Sequence, residues 1–475
     1  MTRLLKVSPS LFAALLIASL PLAAQTTHGS ILGNVTDASG GAIKGARVRI
    51  TQTAANASRE VDTDDAGAYE FQNIEAGPYS LTVTANGFRK FTASELLLQA
   101  RGRLRVDASL SVGEILQTIE IVSSAGVIAT DSPAITSNLT AEKVLNLPSN
   151  VRGAGSTSPY AILQTLPGVQ ADNGLGLSIQ GGLPAQSEST VDGISITAAT
   201  GNSPNRNQFL SVESISEIKV QGVGNTAEFG QPGDITVISK GGGNEYHGAL
   251  FWYHQNKALD ARSFGQNTLP AKIGNTFGVT LGGPVSIPKL YNGKDKTFFY
   301  FTWESLRFPR QTTIQNTVPT SFTRSGDFSR EGLTIRDPQT GQPFPNNVIP
   351  SSRISPIATK VLSLYPLPNT GPTDRRSAGN YRDNRSSSIN SDQFEGRIDQ
   401  NFSDRHTVYG RFFYKNNPSF DPNPLTLPSD TLSAIHWQAS ASWTYTIRPT
   451  LLNEFRFGYV KSDSARIFPF DGRGF

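Results

Sequence analysis

The clearest period in this chain is two. Residues 436–447, HWQASASWTYTI, split into an apolar face (Trp437, Ala439, Ala441, Trp443, Tyr445, Ile447) and a polar face (His436, Gln438, Ser440, Ser442, Thr444, Thr446). Such alternation predicts a β-strand. Its length is a second signal. Globular strands run ~5–6 residues, whereas a tilted strand crossing an outer membrane needs roughly 9–11. Tryptophans near both ends of the apolar face suit the two interfacial girdles of such a wall. Taken alone, the segment fits a long hairpin strand of a soluble sandwich equally well.

The pattern recurs. Long two-faced or aromatic-rich runs cover 246–254, 275–285, 297–306, 393–402, 407–415, 434–447 and 451–461, or roughly seven strands. In 275–285 one face carries Phe277, Val279, Leu281 and Val285, the other Thr276, Gly278 and Thr280. The run 407–415 is noisier, because Arg411 shares a face with Tyr409 and Phe413. A Pro-, Asn- and Ser-rich connection is expected over 309–390. A loop of that length is normally functional, and in a barrel it lies outside the cell.

The N-terminal half has two other textures. Between 29 and 112, short alternating runs (30–36, 46–53, 58–63, 68–71, 79–85, 92–98, 104–110) are punctuated by Asp- and Gly-rich turns. This predicts a small β-sandwich. Between 113 and 240, helices are predicted at 141–147, capped by Thr140, and at 159–166. Gly-rich strands follow at 177–180, 189–191, 215–221 and 234–239.

Composition narrows the class. Of 475 residues, 44 are Gly and 29 Pro, and only 17% are charged, which favours a β- and loop-rich chain. Residues 1–24 form a secretory signal, with Arg3 and Lys6 before the apolar stretch 11–20 and Ala23–Ala24 before the expected cut. The net charge of +4 is unremarkable and falls further once those two cations leave, so nothing calls for nucleic acid. With no cysteine, disulfide and thiol chemistry are excluded.

Ordered motifs then point to a family. GNVTDASGGAIKGARVRI…TDDAGAYEFQNIEAGPYSLTVTANGF resembles the carboxypeptidase regulatory-like domain. That resemblance implies a transthyretin-like sandwich with Gly67 at a tight turn and Tyr69 and Phe71 packed inward. LNLPSNVR, ILQTLPGVQ, IQGG, TVDGI, SISEIKVQ, AEFG and ITVISKGGGNEYHGALFWYHQN resemble, in order, the plug of TonB-dependent outer-membrane receptors of the Oar-like branch. The arginine expected before TVDGI is missing from IQGGLPAQSES.

The resemblance implies a mainly β protein: signal at 1–24, sandwich at 25–112, an α+β plug at 113–240, and part of an antiparallel outer-membrane β-barrel at 241–475. Its plug motif residues are Leu166, Pro167, Gly168, Val169, Asp192 and Gly193. Trp437, Trp443 and Tyr445 are expected to face lipid. Thr118, Ile119, Glu120, Ile121 and Val122 are the candidate coupling segment, to which the TonB energy-transducing complex adds a strand from the periplasm. The resemblance also implies import of an extracellular ligand, whether siderophore, oligosaccharide, peptide or protein. The competing reading is a secreted or surface carbohydrate-binding or adhesive β-protein. Because the family barrel has 22 strands and 465–475 does not alternate, the chain is expected to be an N-terminal portion of a longer receptor. Its last strand would then present an open edge.

Other chemistry is weakly signalled. Asp62-x-Asp64-x-Ala66-Gly67 lacks the oxygen ligand at its fifth position, and Asn73 stands where a calcium loop needs Glu, so an Asp-rich turn is the better reading. Gly222-Val223-Gly224-Asn225-Thr226-Ala227 matches a relaxed dinucleotide pattern, but Gly230, Pro232 and Gly233 preclude the helix it needs. No Gly-x-Ser-x-Gly occurs, and His28, His247, His254, His406 and His436 show no metal spacing. No catalytic residue, metal or cofactor is therefore expected.

Overall fold

The structure is a computed structural model. It describes residues 27–113, 118–122, 135–147, 159–172, 176–183, 186–197, 205–223, 231–262, 269, 271–421, 430–448 and 451–467. The expected signal and Phe475 lie outside them. The chain is mainly β, and no described helix is long and apolar enough to cross a membrane.

Two small sheets form the sandwich. In the first, Gly29–Asp37 is flanked by antiparallel Ala68–Ile74 and by parallel Arg103–Arg105 and Ala108–Leu110. The run expected as one strand over 104–110 is broken, because the Asp107 carboxylate leaves the ladder to accept a hydrogen bond from Asn34 N. The second sheet runs Ala57–Asp62, Arg47–Gln52, Gly77–Thr84, Lys90–Leu98, Thr118–Val122. Alternate residues of both sheets, including Ile31, Val48, Tyr69, Phe71, Leu81 and Phe91, fill the space between. Gly67 takes φ +73° in a turn closed by its N–H on Asp64 O. Asp64 Oδ1 accepts from the N–H groups of Ala66 and Ala68. Its carboxylate thus organises the turn, in line with the turn reading of the Asp-rich loop.

The next unit is a five-stranded sheet in the order Ile135–Thr140, Ile215–Val223, Gly233–Ser239, Ser187–Val191, Ile194–Ser195. Helix Ala141–Asn146 is capped by the Thr140 hydroxyl, which accepts from Lys143 N. The second predicted helix shortens to Tyr160–Leu163. Val144, Ile162, Leu163, Phe209, Ile218 and Ile235 lie in the core that these elements share. A Cβ on Gly222 would stand 2.1 Å from Gln180 Cγ, so this glycine of the dinucleotide-like pattern serves close packing.

The third unit is a single curved wall of seven long antiparallel strands in sequence order: His247–Asn256, Ile273–Pro284, Thr297–Asn316, Tyr381–Ser403, His406–Asn416, Asp430–Arg448 and Leu451–Ile467. Short Ser419–Asp421 pairs with the fourth and sixth of these. The long connection is narrower than the expected 309–390. An unbroken ladder runs from Thr297↔Gln400 to Asn316↔Tyr381, leaving 317–380 as the loop. Pro309 and the Ser-rich stretch 386–388 hide this ladder in the sequence, since both score as turn formers yet lie inside it.

The wall reverses the globular rule. On Asp430–Arg448 the polar face is buried, with Gln438 1% exposed, and the apolar face is open, with Trp437 42% exposed. The buried polar faces point at the central sheet unit, which fills the concave side of the wall. Tyr409, Arg411, Phe413 and Lys415 are also buried there, and Phe413 joins the core of that unit. The mixed face of 407–415 is therefore the inward one.

Candidate functional site: the seam between plug and wall

The decisive geometry begins at an Asp-Gly turn. Thr190 pairs with Ser195 and Val191 with Ile194, leaving Asp192 and Gly193 as a two-residue hairpin loop. Both have positive φ, 50° and 77°, as a type I′ turn requires. The turn drives a carboxylate towards the wall. Asp192 Oδ2 lies 2.8 Å from Arg411 Nε. Ser239 donates to the same carboxylate from its N–H (2.9 Å) and its hydroxyl (2.8 Å). Arg397 Nη1 donates to Ser239 Oγ at 2.9 Å, and its other nitrogens clasp Asp399. The Tyr409 ring stacks on the Arg397 guanidinium at 4.5 Å. Burial pushes the Asp192 carboxyl up, but Arg411, Arg397 and the Ser239 hydrogen bonds outweigh it and hold it below the usual carboxylate range.

The seam continues along the wall. Arg411 Nη2 donates to Gln438 Oε1 at 3.0 Å, and Gln438 Nε2 donates to Gln208 O and to Gln208 Oε1. Glu304 accepts from Ser211 Oγ at 2.7 Å, and Tyr300 OH donates to Glu213 O at 2.9 Å. Almost all of these contacts are polar and buried. Such a seam is specific in register, and each bond is replaceable by water when the surfaces part.

A second seam joins the sandwich to the same central sheet. Arg101 Nη2 donates to Asp234 Oδ2 and to Thr236 Oγ1. Ala100 N donates to Glu217 Oε2 at 3.0 Å, and Lys219 Nζ donates to Ala100 O at 2.8 Å. Burial and the nearby Arg101 push the Lys219 ammonium down to about 8, and burial raises Glu217 and Asp234. Where sandwich, central sheet and wall meet lies a cavity of about 300 Å³, lined in part by His28, Glu75, Lys240, Asp192, Arg397 and Tyr409.

The sequence motifs fall as follows. Leu166, Pro167, Gly168 and Val169 turn the chain from the short helix into the hairpin Val169–Asp172/Gly176–Ile179. Gly168 has φ +77°, Val169 is buried, and Leu166 packs against the core. Trp437 and Trp443 are exposed on the outer wall face, and Tyr445 is half-buried. Thr118–Val122 forms a strand, but not a free one: it pairs in parallel with Lys90–Leu98, from Lys90↔Thr118 to Ser94↔Val122. Arg411, Arg397, Ser239 and Arg101 were not predicted. For Arg411 a signal existed, a cation alternating with aromatics inside a long strand. Among the described residues no cluster of His, Asp and Glu could hold a metal.

Comparison with known proteins agrees with this architecture. Residues 238–474 match the outer membrane beta barrel domain, and 30–111 the carboxypeptidase regulatory-like domain. The chain is 28% identical over 335 residues to the TonB-dependent transporter Oar of Myxococcus xanthus, covering 66% of this chain and 29% of that protein. This chain is a homologue of that transporter and carries the outer membrane beta barrel domain. It spans under a third of the length of that curated relative. Similar solved structures include the outer membrane transporter YddB of Escherichia coli (14% identity, TM-score 0.43, 68% of this chain, 38% of that one). Another is the siderophore receptor PirA of Pseudomonas aeruginosa (12% identity, TM-score 0.39, 70% and 41%). The barrel domain places the protein in the outer membrane, and the central sheet unit, set against the inner face of the wall, is a plug by position.

Proposed function

We propose that this receptor captures an extracellular ligand and imports it with energy transmitted by TonB from the periplasm. The observation that carries the reading is the Asp192–Arg411 seam. The plug is seated in the wall by buried ion pairs and hydrogen bonds, an attachment that holds firmly yet is reversible in water. Thr118–Val122 serves as the coupling segment, and its position at the end of its sheet leaves one backbone edge for strand addition by the partner. Trp437, Trp443 and Tyr445 contact lipid. The 317–380 loop, with the tip of the third and fourth wall strands, takes the ligand. Twenty residue pairs at ~3.4 Å per residue give a ladder roughly 68 Å long, well beyond a ~25 Å apolar band even when tilted.

The import reading is favoured over a carbohydrate-binding adhesin. Sugar rings stack on exposed aromatic faces, and Tyr69, Phe71, Tyr79, Phe88 and Phe91 of the sandwich are all buried or half-buried. The test is capture by a purified periplasmic TonB domain. Ile119→Pro with Val122→Pro, which removes two backbone donors, should lower capture at least ~10-fold. Equal capture by wild type and variant would remove the coupling assignment.

A further inference from the structure

We propose that the sandwich is a mechanical adaptor. The partner's strand adds to the free edge of Thr118–Val122 while that segment stays in the sandwich sheet, and the load enters the plug through Arg101 and Asp234. This rests on the reading of Thr118–Val122 as the coupling segment.

Three observations carry it. First, Thr118–Val122 ends the sheet order, with Lys90–Leu98 on one side and, among the described residues, no strand on the other. Strand addition needs one open row of backbone donors and acceptors, and that row is present without releasing the segment. Second, the ladder partner leads straight to the plug. Lys90–Leu98 continues into the 99–102 turn, closed by Gly102 N on Gln99 O, and Arg101 at its tip has φ 54°. That tip is clamped between two plug strands by Asp234 and Thr236 on one and Glu217 and Lys219 on the other. Third, the clamp is buried: the Arg101 and Asp234 side chains are 7% and 1% exposed. Charges held in low dielectric resist separation far more than a surface pair does. Load along the strand axis is shared by the whole parallel ladder, then delivered to the middle of the plug sheet.

The chain has no cysteine, so a Thr92→Cys/Glu120→Cys pair, at register partners, gives one reversible lock. Full-length receptor in lipid nanodiscs would be pulled with a purified periplasmic TonB domain on a force probe, scoring capture and plug release separately. The expected result is that the oxidised lock keeps both within about twofold of the reduced protein. Arg101→Ala should keep capture and lose plug release at least ~10-fold, as removing one partner of a buried pair implies. The swap Arg101→Asp/Asp234→Arg should restore release, which separates a lost clamp from a misfolded plug. Loss of capture or of release on oxidation, reversed by reductant, would overturn the adaptor, because the segment would then have to leave the sheet. Unchanged release in Arg101→Ala would overturn it as well. If Ile119→Pro/Val122→Pro captures as wild type does, the coupling reading itself fails and the adaptor falls with it.

Discussion

Arg411 Nε lies 2.8 Å from Asp192 Oδ2, and both side chains are buried where the plug meets the fifth wall strand. A cation on the inner face of a barrel strand is thereby matched to a carboxylate at a hairpin tip. Removing one member leaves the other buried without its counter-charge, at a cost of ~3–5 kcal/mol. Asp192→Ala should lower the urea concentration at which the plug becomes protease-sensitive, while the wall stays folded. Asp192→Asn combined with Arg411→Gln should recover much of the loss. A double variant as weak as the sum of the singles would mean that the two residues do not act as a pair.

The same carboxylate sets an acid limit. Its folded-state pKa lies below the ordinary 3.8, so its contribution is fully present above 3.8 and is lost as pH falls through the lower folded value. The difference in plug retention between wild type and Asp192→Asn should therefore be flat from neutral pH down to 3.8 and shrink only below it. A difference that disappears between pH 5 and 6 would contradict this.

Much of the fold was legible because a membrane wall writes itself in length and alternation. Residues 436–447 show both, and all seven wall strands share the length, at 10 residues or more. The seams were not legible. Arg101 and Asp234 stand 133 positions apart, and nothing local marks either. Arg411 looked like noise on an aromatic face because the globular convention places charge outside. In a plugged barrel the inside is polar, and the arginine is on its proper face. The strand Ile135–Thr140 was missed for a simpler reason. ITSNLT is mostly polar and acquires its pairing from Ile215–Val223.

The two wall faces predict opposite responses to charge. Ala441 is exposed on the outer face and Ser440 buried on the inner one. Ala441→Arg should destabilise the receptor in lipid by up to ~2–4 kcal/mol, the range for Arg near a bilayer midplane. In a detergent with a mobile polar shell the penalty should be far smaller. Folding yields in vesicles and in detergent, read by heat-modifiable gel mobility, separate the cases. Equal penalties in both would remove Ala441 from the lipid face.

One buried asparagine clasps the base of the 317–380 loop. Asn380 is buried, its Oδ1 accepts from Val318 N at 2.7 Å, and its Nδ2 donates to Val318 O at 2.9 Å. This two-way clasp joins the ends of the 317–380 connection where the long ladder stops. Asn380→Leu keeps the volume but leaves a buried N–H and C=O unpaired, at ~1–3 kcal/mol each. The loop should then be cut by external protease at least ~10-fold faster, since its closed state loses that energy. The wall should be untouched, because the ladder below Asn316 and Tyr381 does not depend on the clasp. Loss of wall folding in this variant would show that the loop base is part of the barrel's own stability.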